Sequence, residues 1–299
     1  MIFSSILERI GNTPLVKIRE VTKGISQRVE IYAKLEYFNP GGSVKDRAAY
    51  RMVREGIKSG ALTKDKIIMD PTSGNTGVAY AMIGAALGYK VELVMPGNAS
   101  QQRKDMARAF GAEITFSSEM EGSDGAIRLA RKMLLENPEK YFMPDQYNNP
   151  NNPLAHYETT AVEIWKQTGK RVTHFVATMG TSGTAMGTTR RLKEFNKNIY
   201  CVGAQPAGAL HGLEGLKHMP TSIVPGIYKE AELDEVLWIE TEPSYELAER
   251  LGKEEGLLVG YSSGAAMLAA LQIAKRIKEG VIVTIFPDHG DRYFEGLKW

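Results

Sequence analysis

Strand patterns and helix patterns alternate along most of the chain, and this constrains the fold more than any other feature of the sequence. Strands are predicted at Leu15–Ile18, 29–35, 66–69, 91–94 and 112–116. Helix patterns lie between or after them at 44–58, from near Thr76, at 100–110 and at 122–136, and Tyr141–Phe142 closes that half. A second series follows: helix 155–168, strand 173–178, helix 184–195 and strand 199–205, then strand 235–240, helices 243–255 and 263–278, and strand 281–286. Repeated alternation of this kind predicts parallel sheets covered by helices, an α/β fold. The length of 299 residues suits two domains. The polar, proline-containing run 147–153 reads as the connection between them. The domains are therefore expected at 38–148, the smaller, and 149–299, the larger, joined by part of 1–37. Segment 206–230 has weak periodicity and is expected to form a mobile loop over a site.

Ligands of open α/β sheets bind beyond the carboxyl ends of the strands. Four loops fall there, each rich in small or hydroxylated residues. The first is Asn39-Pro40-Gly41-Gly42-Ser43-Val44-Lys45-Asp46-Arg47. Pro40 and the glycines turn the chain, and Ser43 can cap the next helix. Lys45 then sits in the first helical turn, where the helix dipole disfavours a cation. One gain from that position is an amine that deprotonates easily and can form a Schiff base. An exposed surface lysine is the plainer reading of this stretch alone.

The second loop, Pro71-Thr72-Ser73-Gly74-Asn75-Thr76-Gly77, offers backbone N–H groups and hydroxyls to a carboxylate or phosphate. The third, Gly180-Thr181-Ser182-Gly183-Thr184, opens a helix and suits a phosphate monoester. It is neither the dinucleotide pattern nor the P-loop pattern. The fourth, Gly260-Tyr261-Ser262-Ser263-Gly264, fits the G-x-S-x-G elbow of serine hydrolases. Asp288 and His289 are the only acid and histidine pair downstream. Adjacent residues point in different directions, so a relay through them is disfavoured. Ser262 also reads as a simple cap of helix 263–278.

Other classes find no support. The formal charge of +2 gives no argument for nucleic acid or an acidic membrane surface, and no basic stripe interleaves with aromatics. The longest apolar stretch, 78–87, is too short to span a bilayer. The five histidines and the single cysteine, Cys201, form no metal-ligand spacing, so no metal is expected. Cys201 lies in an apolar strand and reads as a core residue. One cysteine excludes an intramolecular disulfide, which fits a reducing cytosol, and the N-terminus shows no leader pattern.

Taken in order, these motifs resemble the β-family (fold type II) of pyridoxal-phosphate enzymes, and within it the cysteine synthase (O-acetylserine sulfhydrylase) branch of B type. The resemblance runs from Ile10-Gly11-Asn12-Thr13-Pro14-Leu15 through the four loops, Met95-Pro96 with Arg103, Asp145-Gln146, Asn152-Pro153 with His156-Tyr157, to Pro287-Asp288 with Arg292-Tyr293. It implies two domains, each a mostly parallel twisted sheet flanked by helices, with pyridoxal 5′-phosphate in the cleft between them. It makes Lys45 the Schiff-base lysine and the base at the substrate Cα. Asn75 faces the ring hydroxyl oxygen, Gly180, Thr181, Ser182, Gly183 and Thr184 the phosphate, and Ser262 the pyridine nitrogen. Thr72, Ser73, Thr76 and Gln146 take the substrate carboxylate.

The implied reaction is a β-replacement on an activated L-serine by sulfide or another sulfur donor, giving L-cysteine. Acetate and phosphate both stay open as leaving group. Lys217 lies where some B-type relatives carry an arginine for a phosphorylated substrate or a bulkier donor. Ser182 stands where A-type enzymes commonly have glycine, and Ala161-Val162 replaces the commoner Gly-Pro. Cystathionine β-synthase-like or serine/threonine dehydratase activity is the alternative on the same fold. The family also implies a cytoplasmic homodimer with small-molecule substrates and neither nucleic acid nor membrane as partner.

Overall fold

The computed structural model describes residues 2–72 and 74–294. Its elements in chain order are β1 (Leu15–Ile18), β2 (Val29–Leu35), α1 (Lys45–Lys58), β3 (Ile67–Pro71), α2 (Asn75–Leu87), β4 (Val91–Pro96), α3 (Gln101–Ala109), β5 (Glu113–Ser117), α4 (Gly122–Glu136) and β6 (Tyr141–Phe142). There follow α5 (Asn151–Glu158), α6 (Thr160–Gln167), β7 (His174–Thr178), α7 (Gly183–Phe195), β8 (Tyr200–Pro206), β9 (Glu235–Ile239), α8 (Thr241–Glu255), α9 (Tyr261–Ala274) and β10 (Gly280–Phe286). Contacts divide the chain into a first unit, Met1–Ile10 with Lys45–Asn152, and a second, Gly11–Val44 with Pro153–Trp299.

The first unit holds a four-stranded sheet in the order β5-β4-β3-β6, parallel throughout. Successive strand residues face opposite sides. Ile68, Leu93 and Met95 join a core with Ala48, Ala49, Met52 and Val53 of α1 and Ala79 to Ile83 of α2. Met69 and Val94 face the other way, against Ala126 and Ala130 of α4. With both faces covered, the strands read as continuous apolar runs rather than alternating ones. Helix α2 is buried almost all round, which is why its sequence carries no polar face.

The second unit holds a six-stranded sheet in the order β1-β2-β10-β7-β8-β9, antiparallel only at the β1–β2 edge. Val176, Val202, Ile282 and Phe286 pack beneath α9 on one face. Phe175, Cys201, Val283 and Ile285 pack against α6 and α7 on the other. Cys201 is fully enclosed, and burial pushes its thiol up to about 11, as a core role requires.

Three expectations differ from this picture. Residues 11–44 belong with the second sheet, because β2 pairs along its whole length with β10. The run 147–153 is not only a connection: α5 starts inside it, with Asn149 Oδ1 accepting from Asn151 N at 2.9 Å. The helix expected at 155–168 is two helices, α5 and α6, separated at Thr159. The Thr159 hydroxyl donates to Ala155 O at 2.6 Å, a back-bond that competes with the helical ladder and bends it.

Candidate active site

In the second unit, four segments meet at the carboxyl end of the central strands. Residues 287–289 leave β10 and are stitched on both sides. On one side Val44 N donates to Pro287 O at 2.8 Å, and Ser43 forms a bridge with Asp288. On the other, Gly260 N donates to Asp288 O at 3.2 Å, and Val259 bridges His289. The Arg292 guanidinium donates to Gly41 O, and Tyr293 Oη donates to Asp288 Oδ2 at 2.7 Å. The turn that delivers Lys45 and the turn that delivers Ser262 are therefore fixed to one short piece of backbone.

Ser262 is buried, and it is the second residue of α9 rather than its cap, which is Gly260. Helix α1 starts at Lys45, so Ser43 precedes it by two residues.

On the neighbouring strand β7, the chain turns through Gly180, Thr181 and Ser182 into α7. Ser182 is the N-cap with φ +70°, a left-handed conformation unusual for a residue with a Cβ. Gly180 has no room for a side chain: a Cβ there would lie 2.1 Å from Gly215 O. The segment carrying Lys217 is fastened to the same turn, since Lys217 N donates to Met179 O at 3.0 Å. Beyond it, Thr184 Oγ1 lies 3.3 Å from His156 Nε2, and His156 Nδ1 lies 2.9 Å from Thr160 Oγ1.

In the first unit, the loop between β3 and α2 carries Thr72, Asn75 and Thr76; Ser73 lies outside the described residues. Thr72 Oγ1 accepts from Gly74 N at 3.2 Å and from Gly77 N at 3.3 Å. Thr76 Oγ1 donates to Gln146 Oε1 at 2.9 Å, and Gln146 Nε2 donates to Pro71 O at 3.2 Å. Thr72, Thr76 and Gln146 are all buried. Asn75 opens α2 and is half-buried, as is Lys45 at the start of α1. The structure thus gathers Thr72, Asn75, Thr76 and Gln146 around one helix N-terminus. It gathers Gly180 to Thr184, Lys217's backbone and Ser262 at one end of the other sheet.

A sequence model of the family described as "Pyridoxal-phosphate dependent enzyme" matches residues 6–288. The chain belongs to the pyridoxal-phosphate dependent enzyme family. It is 51% identical over 294 residues to the cysteine synthase of Aquifex aeolicus, covering 97% of this chain and 90% of that one. It is 44% identical over 290 residues to cysteine synthase B of Escherichia coli, covering 97% and 94%. The crystal structure of a cysteine synthase from Entamoeba histolytica superposes with a TM-score of 0.95 at 39% identity, covering 99% of this chain and 90% of that one. The fold is that of the fold type II pyridoxal-phosphate enzymes, and the cofactor of this family is pyridoxal 5′-phosphate.

The second unit's residues fit that cofactor. The Ser182 hydroxyl is buried and has no hydrogen-bond partner among the described residues. It adjoins the first N–H groups of α7, where Gly183 N makes only a long bond of 3.4 Å to Thr181 Oγ1, so an anionic oxygen there would meet both the hydroxyl and the helix N-terminus. Backbone packed at Gly180 leaves the turn no side chain that could fill the space itself. The hydrolase arrangement fares worse. Asp288 accepts from Tyr293, His289 Nδ1 lies 3.2 Å from Asp291 Oδ1, and the His289 ring packs edge-on to Tyr37 at 5.2 Å.

Two residues here belong to the motifs of the resemblance, but their place in the sequence assigned them no role of this kind. His156 backs Thr184 from α5, and Asp288 ties the two turns together. The i, i+4 spacing of His156 and Thr160 was readable, but nothing local pointed from it to Thr184.

Proposed function

We propose that this enzyme is a cysteine synthase, which converts O-acetyl-L-serine and sulfide to L-cysteine and acetate by β-replacement. When bound, pyridoxal phosphate supplies an electron sink for the negative charge that develops at the substrate Cα. Gly180, Thr181, Ser182, Gly183 and Thr184 hold its phosphate, Asn75 its ring hydroxyl oxygen and Ser262 its pyridine nitrogen. A hydroxyl at position 262, rather than a carboxylate, leaves that nitrogen unprotonated and favours elimination from Cβ.

Lys45 would tether the cofactor through Nζ, and once the substrate's own amine has displaced it, the freed Nζ would take the proton from the substrate Cα. Thr72, Thr76 and Gln146 hold the substrate α-carboxylate at the N-terminus of α2, where the dipole favours an anion. Ser73 joins them on the strength of the family resemblance alone. Loss of acetate from Cβ, addition of sulfide there and return of a proton from Lys45 Nζ to Cα would complete the exchange. A loop held on the substrate carboxylate also excludes water from the reacting carbon.

The observation that most supports this reading is the shared anchorage of the Lys45 turn and the Ser262 turn on residues 287–289. The turn that ends at Val44, just before Lys45, and the Gly260 turn that leads to Ser262 both hold to that piece of backbone. The test is direct. Purified enzyme should absorb in the violet, the absorbance should shift on adding O-acetyl-L-serine, and sulfide should then yield L-cysteine. Colourless protein after supply of the cofactor would overturn the reading.

Lys217 favours a second arm of the same assay. Its backbone is fastened to the phosphate turn, so its ammonium can serve an anionic substrate. Titration with O-phospho-L-serine decides between acetate and phosphate as leaving group. Homocysteine in place of sulfide tests cystathionine β-synthase-like chemistry. The reading also includes a homodimer, checked by light scattering, and a cytoplasmic location, checked by fractionation.

A further inference from the structure

The penultimate residue of β3 is an acid to which the proposed reaction gives no role. Asp70 is completely enclosed. It stands in β3 opposite Leu93 of β4, between apolar Met69 and Pro71. Its Oδ1 accepts from Gln146 Nε2 at 3.5 Å, the long end of the range. Its Oδ2 makes no hydrogen bond of ordinary geometry to any described residue. A carboxylate so placed would be a fully buried charge with only the Tyr80 hydroxyl and Gln146 to support it and no cation among the groups acting on it, and proteins avoid that by keeping the proton.

The neighbourhood reinforces this. The groups acting on Asp70 are the Tyr80 hydroxyl from α2, Asp145 and Gln146 from the following turn, and Tyr147, which itself faces Asp124 of α4. All but the amide are acidic or phenolic. Burial first, opposed by Tyr80 and assisted by Asp145, pushes the Asp70 carboxyl up to about 8.

Gln146 has two ends, and Pro71 O together with Asp70 bears on how they point. The amide nitrogen faces Pro71 O and Asp70 Oδ1, and the amide oxygen is thereby left facing the Thr76 hydroxyl. Flipping the amide would set oxygen against oxygen at Pro71 O and would take the Thr76 hydroxyl's acceptor away. We propose that Asp70 is a positioning residue for the substrate carboxylate: uncharged, it backs the Gln146 amide without opposing the bound anion, and charged, it sets an anion directly behind the loop that must bind one. The proposal rests on the assignment of Thr72, Thr76 and Gln146 to the carboxylate.

The test compares wild type with Asp70→Asn, loaded with cofactor, from pH 6.5 to 9. Asparagine keeps the shape and the Oδ1 acceptor but cannot ionise. The KM for O-acetyl-L-serine should match at pH 7. Above pH 8 the ratio of wild-type to variant KM should climb by up to about tenfold per pH unit, with little change in the kcat ratio. Taking the ratio cancels titration of the substrate's own amine. Asp70→Ala, which lacks the acceptor, should raise KM already at pH 7.

Calorimetric binding of L-alanine, which has the carboxylate but no leaving group, gives the readout independent of turnover. The ratio of its dissociation constants, wild type over Asp70→Asn, should rise above pH 8. A wild type that binds L-alanine with this pH limb but makes no cysteine sinks the synthase reading and leaves Asp70's role standing. Identical pH profiles in wild type and Asp70→Asn, for KM and for L-alanine, overturn the role of Asp70.

Discussion

Replacing Asp70 by asparagine should make the protein more stable, and the gain should grow with pH. The ordinary aspartate ionises near 3.8, and in the folded chain burial holds the proton to about 8. Between those values the folded state carries one proton that the unfolded state has released. The linkage relation then gives a negative slope: unfolding free energy falls by about 1.4 kcal/mol for each pH unit. From 3.8 to pH 7 this accumulates to about 4 kcal/mol, and it levels off once the folded carboxyl ionises. Asparagine removes the slope but adds a buried N–H, which costs about 1–2 kcal/mol unless it finds a partner. The net expectation is a gain of about 2–3 kcal/mol at pH 7 and near zero or a small loss at pH 5. Urea unfolding followed by far-ultraviolet circular dichroism at pH 5, 6, 7 and 8 measures this as a wild-type-minus-variant difference. That probe is needed because Trp165 and Trp238 lie in the second unit and report on the wrong half. A difference that stays constant with pH, or a variant less stable than wild type at pH 8, would refute the reasoning.

Three other outcomes are expected. Lys45→Ala should abolish the visible absorbance of the covalent link and lower turnover by at least about 10²–10⁴-fold, checked by spectrum and product assay. Gly180→Ala should force Gly215 O away from a Cβ that would otherwise lie 2.1 Å from it; overpacking of about 1–3 kcal/mol would appear as roughly tenfold weaker cofactor retention in equilibrium dialysis. Lys34 is fully buried, 2.7 Å from Glu163 Oε2, and also donates to Thr13 O and Gln167 Oε1. Lys34→Met should therefore destabilise by about 3–5 kcal/mol, and adding Glu163→Gln should recover much of that in a double-mutant cycle.

The elements that the sequence located well share one property: the residues that define them also satisfy them. Strand 29–35 and helix 122–136 carry their own apolar pattern, and the structure places β2 and α4 over those same residues. The loops of the site were legible for a related reason. Turn formers and hydroxyls must follow the strand that delivers them, so Lys45, Thr72 to Thr76 and Gly180 to Thr184 announce themselves locally.

What stayed hidden was set by partners far along the chain. Nothing in 29–35 says that β2 will lie beside β10, some 250 residues away, yet that pairing assigns 11–44 to the second unit. Nothing in Gly260-Tyr261-Ser262 says that Gly260 will bond to Asp288, yet that bond makes glycine the cap and puts serine inside the helix. Asp70 is the sharpest instance. An acid followed by proline at the end of Ile67-Ile68-Met69 has the letters of a solvent-facing strand end. Only when Tyr80, Asp145 and Tyr147 close over it does the same carboxyl lose water and keep its proton. A side chain's chemistry is set by its neighbours as much as by its own identity. It follows that a buried acid behind a carboxylate-binding loop is found by asking where its charge could go, and the Tyr80 hydroxyl and Gln146 amide beside Asp70 do not make up for the water it has lost.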